Sequence, residues 1–187
     1  MLSAPAPRFS VFFSVQELEI KKVRFEAAFP PGEIDFSDAR LTQVTPLEAQ
    51  GSAELLANTL GEIRIRGSLK VRMRTECDRC LEPADFPVES SFDLFYRPAA
   101  EVAREEDVEI DTGETEIAFY EGGGIELKDV LREYVLLAMP MQRVCGEQCQ
   151  GICPVCGQNR NLVHCGCHAK QVDDRWAALK KLQTKGS

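Results

Sequence analysis

Four close pairs of cysteines limit what this chain can become more than any other feature of it. The pairs are Cys77 with Cys80, Cys145 with Cys149, Cys153 with Cys156, and Cys165 with Cys167. Two thiolates on one tight turn can grip a single metal ion, and two such turns complete a tetrahedral site. The most specific stretch is Cys153-Pro154-Val155-Cys156-Gly157. A glycine after the second cysteine permits a positive φ, which turns backbone N–H groups toward sulfur. Cys165-Gly166-Cys167 follows closely, so Cys153, Cys156, Cys165 and Cys167 form one candidate four-thiolate set. Cys77, Cys80, Cys145 and Cys149 form a second candidate set, with a single site as the alternative. His164 or His168 could stand in for a cysteine. Zinc is the expected ion, because a closed set of four thiolates suits it and leaves no open position for catalysis.

Three other uses of the thiols compete with this one. Disulfides are disfavoured in a reducing compartment. Reduced, buried thiols without metal would not need paired spacings beside glycine. Cys-x-x-Cys is also the spacing of thiol–disulfide enzymes, but the strand–helix context of a thioredoxin-like fold is missing here.

The net charge of -8 conceals a strong asymmetry. Residues 60–80 carry +3 and residues 128–187 carry +4, whereas residues 81–127 carry -12. The cysteine-bearing segments are thus mildly basic, and one acidic block sets the total. The overall field does not steer the chain onto RNA, although a local basic patch could still contact phosphate. No stretch approaches the roughly 20 apolar residues of a membrane span. Met1–Pro7 lacks the basic start and apolar run of a secretory signal, so the expected location is the cytoplasm, with no membrane partner.

Hydrophobic periodicity outlines an α+β fold. Ile63, Ile65, Leu69, Val71 and Met73 alternate with Arg64, Arg66, Lys70, Arg72 and Arg74, which predicts a strand with one apolar and one basic face. Gly67 marks a candidate bulge in it. Val88, Phe92, Leu94 and Tyr96 predict a returning strand, with Pro83 and Pro87 as breakers and Cys77 and Cys80 near the hairpin tip. Val23, Phe25 and Ala27 alternate in the same way. Ser14 and Glu17 have capping-box spacing ahead of a short helix. Leu127, Val130, Leu131, Tyr134 and Ala138 share a helical face, ended by Pro140. Asp173, Trp176 and Leu179 outline a terminal helix. The expected arrangement is an antiparallel sheet, open or barrel-like, with one packing helix, a cysteine-rich zinc knuckle and a C-terminal helix. Its expected divisions are a mainly β domain over 1–98, an acidic loop or linker over 99–124, and the helix with the metal-binding segment over 125–187. No internal repeat stands out.

Cys77-Asp78-Arg79-Cys80-Leu81-Glu82-Pro83 resembles the signature of the YceD family, the large ribosomal RNA subunit accumulation proteins. The run from Leu136 through Cys145, Cys149 and Gly151-Ile152-Cys153-Pro154-Val155-Cys156-Gly157 to Asn159 and Asn161 is similar to the second block of its cysteine-rich branch. Asp174 to Leu182 resembles the family's terminal helix. One departure is Arg160, which stands where leucine is expected. The resemblance implies a ribosome biogenesis role in 23S rRNA accumulation or processing. The implied partner is a large-subunit precursor, met through its RNA or a ribosomal protein.

The basic row Arg64, Arg66, Lys70, Arg72 and Arg74 is the candidate RNA contact, weighed against cross-strand pairing with Glu89 and Asp93. No nucleophile, base and orienting group assemble from the sequence, and neither a phosphate loop nor a dinucleotide fingerprint occurs. The chain is therefore expected to bind rather than catalyse and to take no small-molecule substrate. The alternative is a thiol-redox protein or redox-sensitive switch built on the Cys-x-x-Cys pairs.

Overall fold

The computed structural model describes residues 11–38, 40–99 and 117–167. The acidic run over 101–116, His168 and the terminal helix expected around Asp173–Lys181 lie outside the described residues. The chain divides into two compact units, Met1–Thr75 with Ala84–Arg143 and Glu76–Pro83 with Val144–Ser187.

The first unit is α+β. Its strands are β1 (Phe12–Ser14), β2 (Val23–Phe29), β3 (Thr42–Gln43), β4 (Leu47–Leu55), β5 (Ile63–Glu76), β6 (Pro83–Pro98), β7 (Ile117–Tyr120) and β8 (Gly124–Glu126). Among the described residues its full helices are α1 (Val15–Ile20) and α2 (Leu127–Ala138). β2, β4, β5, β6 and β7 lie side by side in that order, β3 pairs with the far end of β5, and β1 pairs with β8 in a separate ribbon. Of the two sheet forms expected the open one is found, and one strand departs from the antiparallel expectation. The sheet does not close into a barrel, since β2 and β7 end it among the described residues. β7 runs parallel to β6, with Phe95 opposite Ile117 and Pro98 opposite Tyr120. A parallel neighbour needs a crossover of about a dozen residues or more, and the stretch between β6 and β7 is long enough to supply one.

The alternation in β5 holds along its whole length. Ile63, Ile65, Leu69, Val71 and Met73 are buried, and the basic residues between them face outward. Gly67 is not a bulge. The β4–β5 register runs without a break from Glu48 opposite Lys70 to Leu55 opposite Ile63, with Gly51 directly facing Gly67. Both glycines serve close approach. A Cβ on Gly51 would lie 2.7 Å from the Gly67 Cα and 2.8 Å from the Phe25 ring, and one on Gly67 would meet the Gln50 carbonyl and the Phe92 ring.

β6 starts at Pro83, earlier than its apolar residues suggest, and Pro87 lies within it. A proline is tolerated where one side of a strand has no partner, and β7 reaches only Phe95–Pro98. Its core-facing residues are Ala84, Phe86, Val88, Phe92 and Tyr96. α2 buries Leu127, Val130, Leu131 and Val135, each worth about 1.5–3 kcal/mol of apolar transfer. Tyr134 packs its ring on Phe92 at 5.2 Å and donates its hydroxyl to the Ser91 carbonyl at 2.9 Å. The helix ends where Pro140 forbids continuation, with Met139 extended at its C-cap. α1 forms where expected but without the capping box, because the Ser14 side chain makes no capping hydrogen bond. Glu17 instead pairs with Lys21 one turn on, at 3.2 Å. No described helix is long and apolar enough to cross a membrane.

Candidate metal centre

The second unit gathers all eight cysteines. Their sulfurs fall into two groups, Cys77/Cys80/Cys145/Cys149 and Cys153/Cys156/Cys165/Cys167, and within each group every Sγ lies within 4.8 Å of the others. These are the two sets that spacing suggested. His164 belongs to neither group. No pair is a disulfide. In the first centre the Sγ of Cys77 is 3.8 Å from that of Cys149, and the Sγ of Cys80 is 3.7 Å from that of Cys145. Thiolates about 2.3 Å from a zinc ion at the centre of a tetrahedron stand about 3.8 Å from one another. The donor set and its spacing therefore fit a tetrahedral thiophilic ion.

The backbone explains why the sulfurs converge. In the first turn Leu81 N–H donates to Cys77 C=O at 2.9 Å, and Cys77 N–H donates to Glu82 C=O at 2.9 Å. In the turn of the second centre Gly157 N–H donates to Cys153 C=O at 2.9 Å, and Cys153 N–H donates to Gln158 C=O at 2.8 Å. The two turns share one hydrogen-bond pattern, a repeat hidden in the sequence because only their cysteines match. Both need a left-handed residue after the second cysteine, and Gly157 supplies it at φ 72° without cost. Leu81 adopts φ 63° in the same place. A side chain there costs about 1–2 kcal/mol, which the surrounding turn must hold.

Backbone N–H groups aim at the sulfurs. Arg79 N–H and Cys145 N–H lie 3.4 and 3.3 Å from Cys77 Sγ. Burial pushes the Cys77 thiol up, but N–H groups of Cys145, Cys80 and Arg79 outweigh it and hold the group at about 6. N–H groups of Cys156 and Val155 likewise hold Cys153 at about 6, against burial. Cys145 is pushed up to about 12, chiefly because its S–H is held by Cys149 and Cys80. Cys167 is pushed up to about 12 by its bond with Cys156, by burial and by neighbouring sulfur charge. Each centre thus ionises in part by itself and needs a cation to ionise fully.

Two groups outside the cysteines were not given a role by spacing. Asn161 donates through Nδ2 to Cys149 Sγ at 3.4 Å, and this contact is the main cause of a lowered Cys149 thiol. Arg79 donates through Nη1 to Cys149 C=O at 3.3 Å, while its own C=O accepts from Ile152 N–H at 2.9 Å. No simple periodicity would have found either. Arg160 is exposed and contributes its backbone N–H to Gly151 C=O at 2.9 Å, a bond its side chain does not affect.

The basic row on β5 is largely committed elsewhere. Arg64 donates through Nε to Asp93 at 2.8 Å and lies 5.4 Å from the Phe95 ring centroid. Arg74 makes a two-bond fork with Asp85 at 2.6 and 3.0 Å, and Lys70 stands 3.6 Å from Glu89. The hydrogen bonds of these arginines hold both aspartates below the usual carboxylate range. Cross-strand pairing therefore accounts for three of the five. Arg66 and Arg72 are exposed and form no ion pair within 4.0 Å among the described residues.

An open α+β sheet unit joined to a unit with two tetracysteine clusters defines the class. The family model for the large ribosomal RNA subunit accumulation protein YceD matches residues 65–183, and the chain belongs to that family. It is 23% identical over 172 residues to the uncharacterized protein YlbN of Bacillus subtilis (strain 168), covering 91% of this chain and 93% of that protein. It is 30% identical over 121 residues to the uncharacterized protein Rv2926c of Mycobacterium tuberculosis (strain H37Rv), covering 64% of this chain and 55% of that protein. No solved structure matches.

Proposed function

We propose that this chain is a ribosome biogenesis factor that supports accumulation of large-subunit rRNA by binding its precursor particle, and that zinc fills both tetracysteine clusters. The observation that carries the reading is the family match over residues 65–183, which spans both cysteine blocks. The clusters support a structural role for the ion, since four thiolates around a tetrahedral metal leave no position for substrate. The reading makes the chain a binder and not an enzyme, acting in the cytoplasm where ribosomes assemble. Depletion of the protein from its cells should lower 23S relative to 16S rRNA. An unchanged ratio would reject the role.

Contact with rRNA phosphate would fall to Arg66 and Arg72, the two members of the basic row that form no ion pair within 4.0 Å among the described residues. Arg66→Glu/Arg72→Glu should weaken association with precursor particles about tenfold at low salt, and the loss should shrink as salt rises. Arg64→Gln/Arg74→Gln should change it far less, because those side chains are already paired. Equal losses for the two variants, measured by co-sedimentation across a salt series, would remove the assignment.

The zinc reading carries a pH dependence with a defined sign. Metal must displace the proton of Cys145, held up to about 12, at any neutral pH, whereas Cys77, held at about 6, is already ionised there. Affinity of the first centre should therefore fall as pH falls, and fall more steeply once pH drops below about 6 and Cys77 takes up its proton. Chelator competition from about pH 8 to pH 5 measures this. A pH-independent affinity would argue against thiolate ligation.

A further inference from the structure

The two cysteine centres are joined by one short hairpin. Residues 150–161 leave the first centre just after Cys149, form the turn that carries Cys153 and Cys156, and come back to the first centre at Asn161. The return is fixed by polar contacts. Gln150 N–H donates to Asn161 Oδ1 at 2.8 Å. The Asn161 backbone N–H and its Nδ2 both donate to Asn159 Oδ1 at 2.9 Å. Asn159 Nδ2 donates in turn to Glu82 Oε1 at 3.3 Å, in the turn that bears Cys77 and Cys80. Asn161 Nδ2 then reaches Cys149 Sγ at 3.4 Å. The opposite end of the hairpin is closed by the turn of the second centre, through the Ile152–Asn159 bridge and the Cys153–Gln158 and Gly157–Cys153 bonds.

We propose that Asn161 is a positioning residue of the first metal centre, and that through it a metal ion in the second centre strengthens metal binding in the first. The inference rests on the reading that both clusters hold metal. Its physical basis is the order in which the contacts become available. An N–H aimed at a thiolate orients that sulfur and offsets the mutual repulsion of four thiolates, and outer contacts of this kind are worth about 10–100-fold in metal affinity. Asn161 can offer its N–H only when the turn at 153–158 is closed, because Asn159, its support, lies on that turn's exit strand. A metal ion held by Cys153, Cys156, Cys165 and Cys167 closes that turn. By linkage the strengthening is mutual.

The test uses the full chain, stripped of metal under reducing, oxygen-free conditions and titrated with cobalt(II). Thiolate-to-cobalt charge transfer reports binding, and chelator competition reports affinity. The wild-type chain should take up two equivalents with positive cooperativity. Cys156→Ser/Cys167→Ser should retain one equivalent at the first centre, bound about tenfold or more weakly than in wild type. Asn161→Asp keeps the oxygen that accepts Gln150 N–H but presents a second oxygen to Cys149 in place of the N–H. It should weaken the first centre by about 10–100-fold and shift its charge-transfer band, which loosened packing alone would not move. In a Cys80→Ser background the same substitution should leave the second centre unchanged. Two equivalents bound independently, with the Asn161→Asp isotherm and band matching wild type, would overturn the coupling while leaving both sites standing. A chain that shows no thiolate charge transfer would overturn the metal reading and the coupling together.

Discussion

Stripping metal from the intact protein with a strong chelator should unfold residues 76–83 and 144–167 and leave the sheet with α2 folded. The reason lies in what each unit buries. The first unit packs Phe25, Phe29, Leu47, Ile63, Ile65, Leu69, Val71, Met73, Phe92, Leu127 and Leu131 into one apolar cluster. Among the described residues of the second unit, the buried apolar side chains are Cys77, Cys80 and Cys153, while Leu81, Ile152, Val155, Leu162 and Val163 are exposed. A described segment whose buried side chains are thiols would have no core without an ion to hold them together. Structural zinc contributes about 10–16 kcal/mol to small domains of this kind, far more than turn hydrogen bonds can replace. Amide exchange should show protection lost at Ile152, Cys153, Gly157 and Arg160 on chelation and retained in β4 and β5. Protection that survives in both units would mean that the ion is not what holds the second one. Cys153→Ser should give a local version of the same result at the second centre.

The second large effect falls in the other unit. Gly51→Val should destabilise the sheet by more than about 4 kcal/mol, enough to unfold an ordinary domain or leave it insoluble. The new side chain would enter space held by the Gly67 backbone and the Phe25 ring. Neither can retreat, because Gly51 and Gly67 are paired in the middle of adjacent strands and Phe25 is part of the core. Gly123→Ala is the control. Nothing lies within 4 Å of a Cβ there, so stability should change by less than about 0.5 kcal/mol. Thermal melts of the two variants, each with metal bound, measure the contrast. A Gly51 variant that melts with the wild-type chain would show that the two strands can separate at little expense.

Much of this organisation could be read without coordinates. Period-two alternation in Ile63–Met73 fixed which face of β5 is buried, since successive side chains of a strand must point to opposite faces. Helical spacing from Leu127 onward located α2, and Pro140 located its end. Thiol pairs at Cys-x-x-Cys spacing marked turns able to hold metal, because that chemistry is local in sequence. The N-terminus of α1 was also legible, though the capping contact expected of Ser14 is not made.

Other features depend on partners distant in the chain, and these only the tertiary structure decided. Gly67 looks like a bulge from its own neighbours, but Gly51 opposite it makes it a point of close approach. Pairing of the basic row with Glu89 and Asp93 could be weighed from sequence, but only the structure assigns Asp93 to Arg64 and Glu89 to Lys70 and adds Asp85 as the partner of Arg74. The direction of β7 shows only in its parallel pairing with β6, which no local pattern encodes. Asn161 gains a role only because a closed hairpin carries its amide to Cys149, twelve residues back along the chain. Local sterics and ligand chemistry are written in short stretches of sequence, whereas pairing, charge neutralisation and the positioning of a ligand by a second residue exist only once separate stretches meet.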